Sequence, residues 1–61
     1  MIPYRVFVAG IPCEIAVYSR LKNVSIAVGE YRGRKIEVRR ASAISAAEAW
    51  AKAAERVAAT E

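Results

Sequence analysis

Large apolar residues alternate with small or polar ones through four stretches of this chain. These are Tyr4-Arg5-Val6-Phe7-Val8, Cys13-Glu14-Ile15-Ala16-Val17-Tyr18, Val24-Ser25-Ile26-Ala27-Val28 and Lys35-Ile36-Glu37-Val38-Arg39. A period of two with β-branched enrichment is the signature of a half-buried strand. The pattern predicts strands over about 4–9, 13–19, 24–30 and 34–40. After Ile44 the period changes. Ala47, Trp50, Ala51, Ala54, Val57 and Ala58 recur at helical spacing, which predicts one helix over about 45–59. Ser45-Ala46-Ala47-Glu48 has the form of a capping box, with Ser45 as cap and Glu48 reaching back. Glu48 precedes Lys52 by one helical turn in the favourable orientation. Together these elements predict an α+β fold: a four-stranded antiparallel meander (ββββ) covered on one face by a single C-terminal helix, in one domain over residues 1–61.

Sorting by parity gives two faces. Tyr4, Val6, Val8, Cys13, Ile15, Val17, Val24, Ile26, Val28, Ile36 and Val38 are expected under the helix. Arg5, Phe7, Glu14, Ala16, Tyr18, Ser25, Ala27, Gly29, Lys35, Glu37 and Arg39 are expected on the uncovered side. For Val28 and Ile36 to share a face, the last hairpin needs an odd loop. Tyr31-Arg32-Gly33 supplies one, with Gly33 in the left-handed region. Ala9-Gly10-Ile11-Pro12 is expected as a four-residue loop, where Pro12 removes no ladder hydrogen bond. Arg20-Leu21-Lys22-Asn23 forms the middle connection, with Asn23 tolerating positive φ. Trp50 is the large anchor of the core, and the alanines beside it let the helix lie close to the sheet.

Composition narrows the chemistry. The 61 residues contain no His, Asp or Gln and a single cysteine, Cys13. No internal disulfide is possible, which suits a reducing compartment. No ordinary zinc, haem or non-haem iron site follows from such a set, and no Ser-His-Asp or Cys-His arrangement. The carboxylates are Glu14, Glu30, Glu37, Glu48, Glu55 and Glu61. They are expected to be solvated charges, because so short a chain leaves little volume for a substrate pocket. The expectation is therefore a non-catalytic protein with no cofactor, no metal and no small-molecule substrate. Charges at Arg5, Glu14 and Arg20 interrupt the apolar runs below the ~20 residues of a membrane span. The N-terminal residues lack the basic-then-apolar order of a signal peptide. A cytoplasmic protein without membrane contact is expected.

The net charge is +4, and seven of the ten basic residues lie between Arg20 and Arg40. That bias favours an anionic partner, whether nucleic acid, an acidic protein surface or anionic lipid; the helix stripe is too Ala-rich, and too necessary to the core, to be free for lipid. With one helix available, one sheet face stays uncovered, roughly 400 Å² for four strands of ordinary length and spacing. Phe7 and Tyr18 fall on it, with Arg5, Lys35 and Arg39 around them. Arg32 and Arg34 flank the last hairpin. Single strands stack bases on such aromatics and hold phosphates with Arg and Lys, and a sheet can also enter a DNA major groove. The first expectation is nucleic-acid binding through Arg5, Phe7, Tyr18, Arg32, Arg34, Lys35 and Arg39. The alternative is a protein-binding module using the same face: a homodimer, or a small inhibitor of a nucleic-acid-processing complex of the kind phages and mobile elements encode. The signature segments of an RNA-recognition module are absent.

The stretch Ile36-Glu37-Val38-Arg39, followed by Ser45-Ala46-Ala47-Glu48-Ala49-Trp50-Ala51-Lys52-Ala53-Ala54, resembles the end of an AP2-type or integrase arm-binding domain. The resemblance covers about a third of the chain. It implies a small antiparallel sheet backed by one helix and a DNA-binding role. An additional first strand departs from the three-stranded plan of that family, and its DNA-contacting strand residues have no counterparts here.

Overall fold

A computed structural model describes residues 2–60. Four strands, β1 (Ile2–Val8), β2 (Ile11–Leu21), β3 (Val24–Tyr31) and β4 (Arg34–Arg40), form one antiparallel sheet in the order β1-β2-β3-β4. One helix, α1 (Ala43–Thr60), packs across one face and touches all four strands. The expected α+β meander with its single C-terminal helix is the fold. Among the described residues, no helix is long and apolar enough to cross a membrane.

The turns are tighter than the sequence reading expects, and this changes one strand's face. Val8 pairs with Ile11, so the first turn is Ala9-Gly10 rather than a four-residue loop. Tyr31 pairs with Arg34, so the last is Arg32-Gly33 rather than a three-residue loop. Both turns have positive φ at both positions, 53° and 81° in the first and 54° and 80° in the last. This is the type I′ geometry whose twist matches that of the flanking strands. The middle turn is Lys22-Asn23, with Asn23 at φ 64°. A bulge between Ser19 and Leu21 precedes it.

Pro12 consequently lies in β2, opposite Phe7. It sits beyond the last residue pair that joins β2 to β3, so its missing N–H still removes no ladder bond. Because the side-chain period is two, shortening the last loop by one residue turns β3 over. Val17 pairs with Ala27, and Ala27 with Val38. Ser25, Ala27, Gly29 and Tyr31 therefore face the helix. Val24, Ile26 and Val28 face away from it, the reverse of the parity expected above. Strands β1, β2 and β4 keep their expected faces.

Volume explains the inversion. Trp50 is fully buried, and its indole lies on the backbone of Gly29. A Cβ at position 29 would stand 2.8 Å from Trp50 Cζ2 and 2.7 Å from Ile15 Cγ2. A strand under so large a ring must present small residues. The core comprises Val8, Ile15, Val17, Ala27, Tyr31, Ala46, Ala47, Trp50 and Ala54. Alanines on the helix and small residues on β3 let the two layers approach, and the indole fills the remaining gap. Trp50 Nε1 donates to the Ile36 carbonyl at 3.0 Å, which satisfies the one polar atom of the ring.

The helix begins earlier than expected. Ser42, not Ser45, is the cap: Ser45 N donates to Ser42 Oγ at 3.2 Å, and Ala46 N donates to Ser42 O at 2.9 Å. At the other end Thr60 Oγ1 donates to the carbonyls of Arg56 and Val57, both at 3.1 Å. The one hydroxyl proton is shared between them, the back-bonding to the preceding turn that a helical Thr commonly makes; of the two, only Val57 is among the last four carbonyls, which lack intrahelical donors.

Candidate functional site

The uncovered face can be built row by row from the pairing. Arg5 lies opposite Glu14, and Glu30 opposite Lys35. Each is an opposite-charge cross-strand pair on one face, so these charges offset one another locally. The next row is Pro3, Ala16, Val28 and Glu37. Beyond it lies Tyr18, Ile26 and Arg39. Phe7 stands at the far corner, opposite Pro12 beside the first turn, and is 62% exposed.

Ser25, Ala27 and Gly29, expected on this side, lie under the helix instead. Val24, Ile26 and Val28 take their place. The face is also not uniformly basic, since Glu14, Glu30 and Glu37 are interspersed with Arg5, Lys35 and Arg39. Phe7 and Tyr18 share the face but form no common platform. Pro12, the neighbour of Phe7, and Tyr18 are six positions apart on β2, which is about 20 Å along a strand.

One region departs from this balance. Ile26 is nearly fully buried although it lies opposite the helix and outside the main core. Tyr18 flanks it on β2 and Arg39 on β4. Arg20, Glu37 and Arg39 line a shallow depression of about 130 Å³ above it. Long basic side chains cover an apolar residue with their methylene stems and keep their charged ends in water. Adjacent strands are ~4.8 Å apart, so the row holds the Tyr18 ring and the Arg39 guanidinium roots about 10 Å apart. Lys22 in the adjoining turn and Arg40 at the end of β4 add positive charge at the same end of the sheet.

Arg20 and Lys22 are not among the contacts that the sequence pattern marks. The signal was present, since positions 18, 20 and 22 continue one alternation, but the bulge after Ser19 hides where it leads. The remaining candidates lie elsewhere. Arg32 is in the last turn, with its guanidinium carbon 5.6 Å from the centre of the Tyr31 ring. This distance is within the range of cation–π attraction. Arg34 pairs with Tyr31 and so lies on the helix side of β4.

The free edge of β4 completes the site. Hydrogen-bonded pairs alternate outward from the tight turn. Lys35, Glu37 and Arg39 therefore direct their backbone N–H and C=O groups away from β3. On β1 the corresponding positions are Pro3, Arg5 and Phe7, and Pro3 lacks an N–H to offer. Charge on one edge and proline on the other are both devices that discourage sheets from pairing edge to edge.

Among the described residues, no group of three or more acidic or Cys side chains is placed to hold a metal ion. No family model, curated protein or solved structure matches this chain.

Proposed function

We propose that this chain binds nucleic acid through the end of the uncovered sheet face that carries Tyr18, Arg20 and Arg39. The Tyr18–Ile26–Arg39 row supports this reading most strongly. Tyr18 offers a ring on which a base can stack, and the buried Ile26 fixes the floor between ring and guanidinium. Arg39 and Arg20 contact phosphate, and Lys22 extends the positive field. Base–aromatic stacking together with a basic track is the general mode of binding without sequence readout. Lys35, Arg32 and Arg5 contribute long-range attraction, reduced for Lys35 and Arg5 by the carboxylates opposite them. The role is one of binding rather than catalysis.

The test is fluorescence anisotropy with labelled 20-nucleotide oligonucleotides across a salt series. Binding is expected at ~50 mM salt and weakens with a log–log slope near −3 for a single strand contacting about four phosphates. Replacing both Arg20 and Arg39 with Ala reduces the magnitude of that slope by about 1.4. Absence of binding to any DNA or RNA at low salt overturns the reading.

A second reading rests on a separate observation. Phe7, Pro12 and Ile11 surround an uncharged turn and are all exposed. A solvated aromatic beside proline suits contact with another protein or a second copy of this chain, as in the small-inhibitor alternative. Capture of a protein partner that survives nuclease and fails with Phe7→Ala would favour it.

A further inference from the structure

A second recess lies on the other side of β4, between that strand and α1. It has a volume of about 310 Å³ and is lined by Val38, Arg40, Ser45, Glu48, Ala49, Lys52, Ala53 and Arg56. Val38, Ala49 and Ala53 make an apolar floor. Arg40, Lys52 and Arg56 supply three positive charges against the one carboxylate of Glu48. Lys52 and Arg56 are exposed and one helical turn apart, so both look out from the same face of α1.

This recess and the Tyr18–Arg39 row lie back to back across one edge strand. Arg39 and Arg40 are adjacent in sequence and point to opposite faces, as successive strand residues must. Arg40 Nη1 donates to the Arg39 carbonyl at 2.6 Å, which folds the Arg40 guanidinium back onto the strand between the two sites. The unpaired backbone N–H groups of Lys35, Glu37 and Arg39 line the edge itself, and backbone N–H groups are ordinary phosphate donors. Basic side chains and free donors thus run from the open face, over the β4 edge, into the groove, with the carboxylates of Glu37 and Glu48 interspersed.

Resting on the nucleic-acid reading above, we infer that the ligand is a single strand that turns around the β4 edge and seats a nucleotide in the α1–β4 groove. The base lies on the Val38, Ala49 and Ala53 floor, with Arg40, Lys52 and Arg56 on its flanking phosphates. Two features select a single strand. A duplex is stiff over about 150 base pairs and cannot fold around a single β-strand, so it reaches one flank only. The apolar floor suits the exposed π-face of an unpaired base, whereas a duplex would offer the groove only sugar and phosphate.

The test compares wild type with the Lys52→Ala/Arg56→Ala double variant, using a 20-nucleotide single strand and the matching duplex. Both positions are solvent-exposed, and circular dichroism verifies that the variant remains folded. The expected result is a tenfold or greater loss of single-strand affinity and a salt slope shallower by about 1.4, with duplex affinity changed less than twofold. Wild-type binding that is insensitive to the double variant overturns the groove and leaves the open-face reading intact. Equal losses for single strand and duplex show general charge attraction and also overturn it. Failure of the wild type to bind either ligand removes both readings together.

Discussion

Gly29 and Trp50 compete for one volume: the indole lies where any side chain at position 29 would be, with Cζ2 only 2.8 Å from the place of a Cβ. That relationship sets the spacing of helix and sheet, and through strand parity it decides which residues the opposite face displays. A glycine inside a strand usually weakens it. Here the gain is the close approach of a buried aromatic.

Gly29→Ala is therefore expected to destabilise the fold, although Ala is the better residue for an unstrained extended backbone. Both near neighbours, the Trp50 ring and the Ile15 methyl, are themselves packed, and overpacking costs ~1–3 kcal/mol. In a domain of this size each kcal/mol lowers Tm by roughly 4–8 °C. A thermal melt with unchanged or raised Tm would contradict the packing described.

The first turn gives a prediction of opposite sign. Ala9 is held at φ 53°, a region costly for Ala and readily adopted by Asn. Ala9→Asn creates the Asn-Gly pair preferred in type I′ turns. A stabilisation of about 0.5–1 kcal/mol is expected by urea denaturation, consistent with the gains from matching residue to backbone. A destabilised variant would argue for a longer loop with a different register.

Ile26 and Phe7 share the uncovered face but differ in what they support. Ile26 is 3% exposed and Phe7 62%. Ile26→Ala should cost about 2 kcal/mol or more, within the range for buried aliphatic truncation. Phe7→Ala should change stability by less than ~0.5 kcal/mol, as for ordinary surface positions. Comparable costs at the two sites, measured by the same denaturation, would mean that the face is not organised around Ile26.

Trp50 is the only tryptophan in the sequence and is fully buried. Its native fluorescence should be protected from acrylamide, and Trp50→Phe should lose both volume and the bond to the Ile36 carbonyl. A combined cost of about 1–3 kcal/mol is expected, the sum of a hydrogen bond and a small cavity. Ready quenching in the folded state would place the indole outside the core.

Much of this architecture is legible in the sequence, for reasons particular residues make plain. Alternation around Val6, Ile15, Val17 and Val38 marks strands, and the helical spacing of Ala47, Trp50 and Ala54 marks the buried stripe. The face of β3 is not legible in the same way. Val24, Ile26 and Val28 have the side chains of a core, and parity from hydrophobicity alone puts them there. What outweighs their hydrophobicity is a volume constraint from a residue more than twenty positions away, since only Gly29 and Ala27 leave room for Trp50. The turn residues held the counter-signal, because Ala9-Gly10 and Arg32-Gly33 each end in the glycine of a two-residue turn. Arg39, Tyr18 and Lys35 keep their expected side of the sheet. Arg20 joins them only through a bulge that side-chain periodicity does not announce.

The most direct test of the whole account is a nuclear Overhauser measurement from the indole protons of Trp50. Contacts to the Gly29 α-protons and the Ile15 methyls are predicted, with none to Val28 or Ile26. Strong contacts from the indole to the Val28 or Ile26 methyls would turn β3 over, take the floor from beneath Tyr18 and Arg39, and contradict the site built on it.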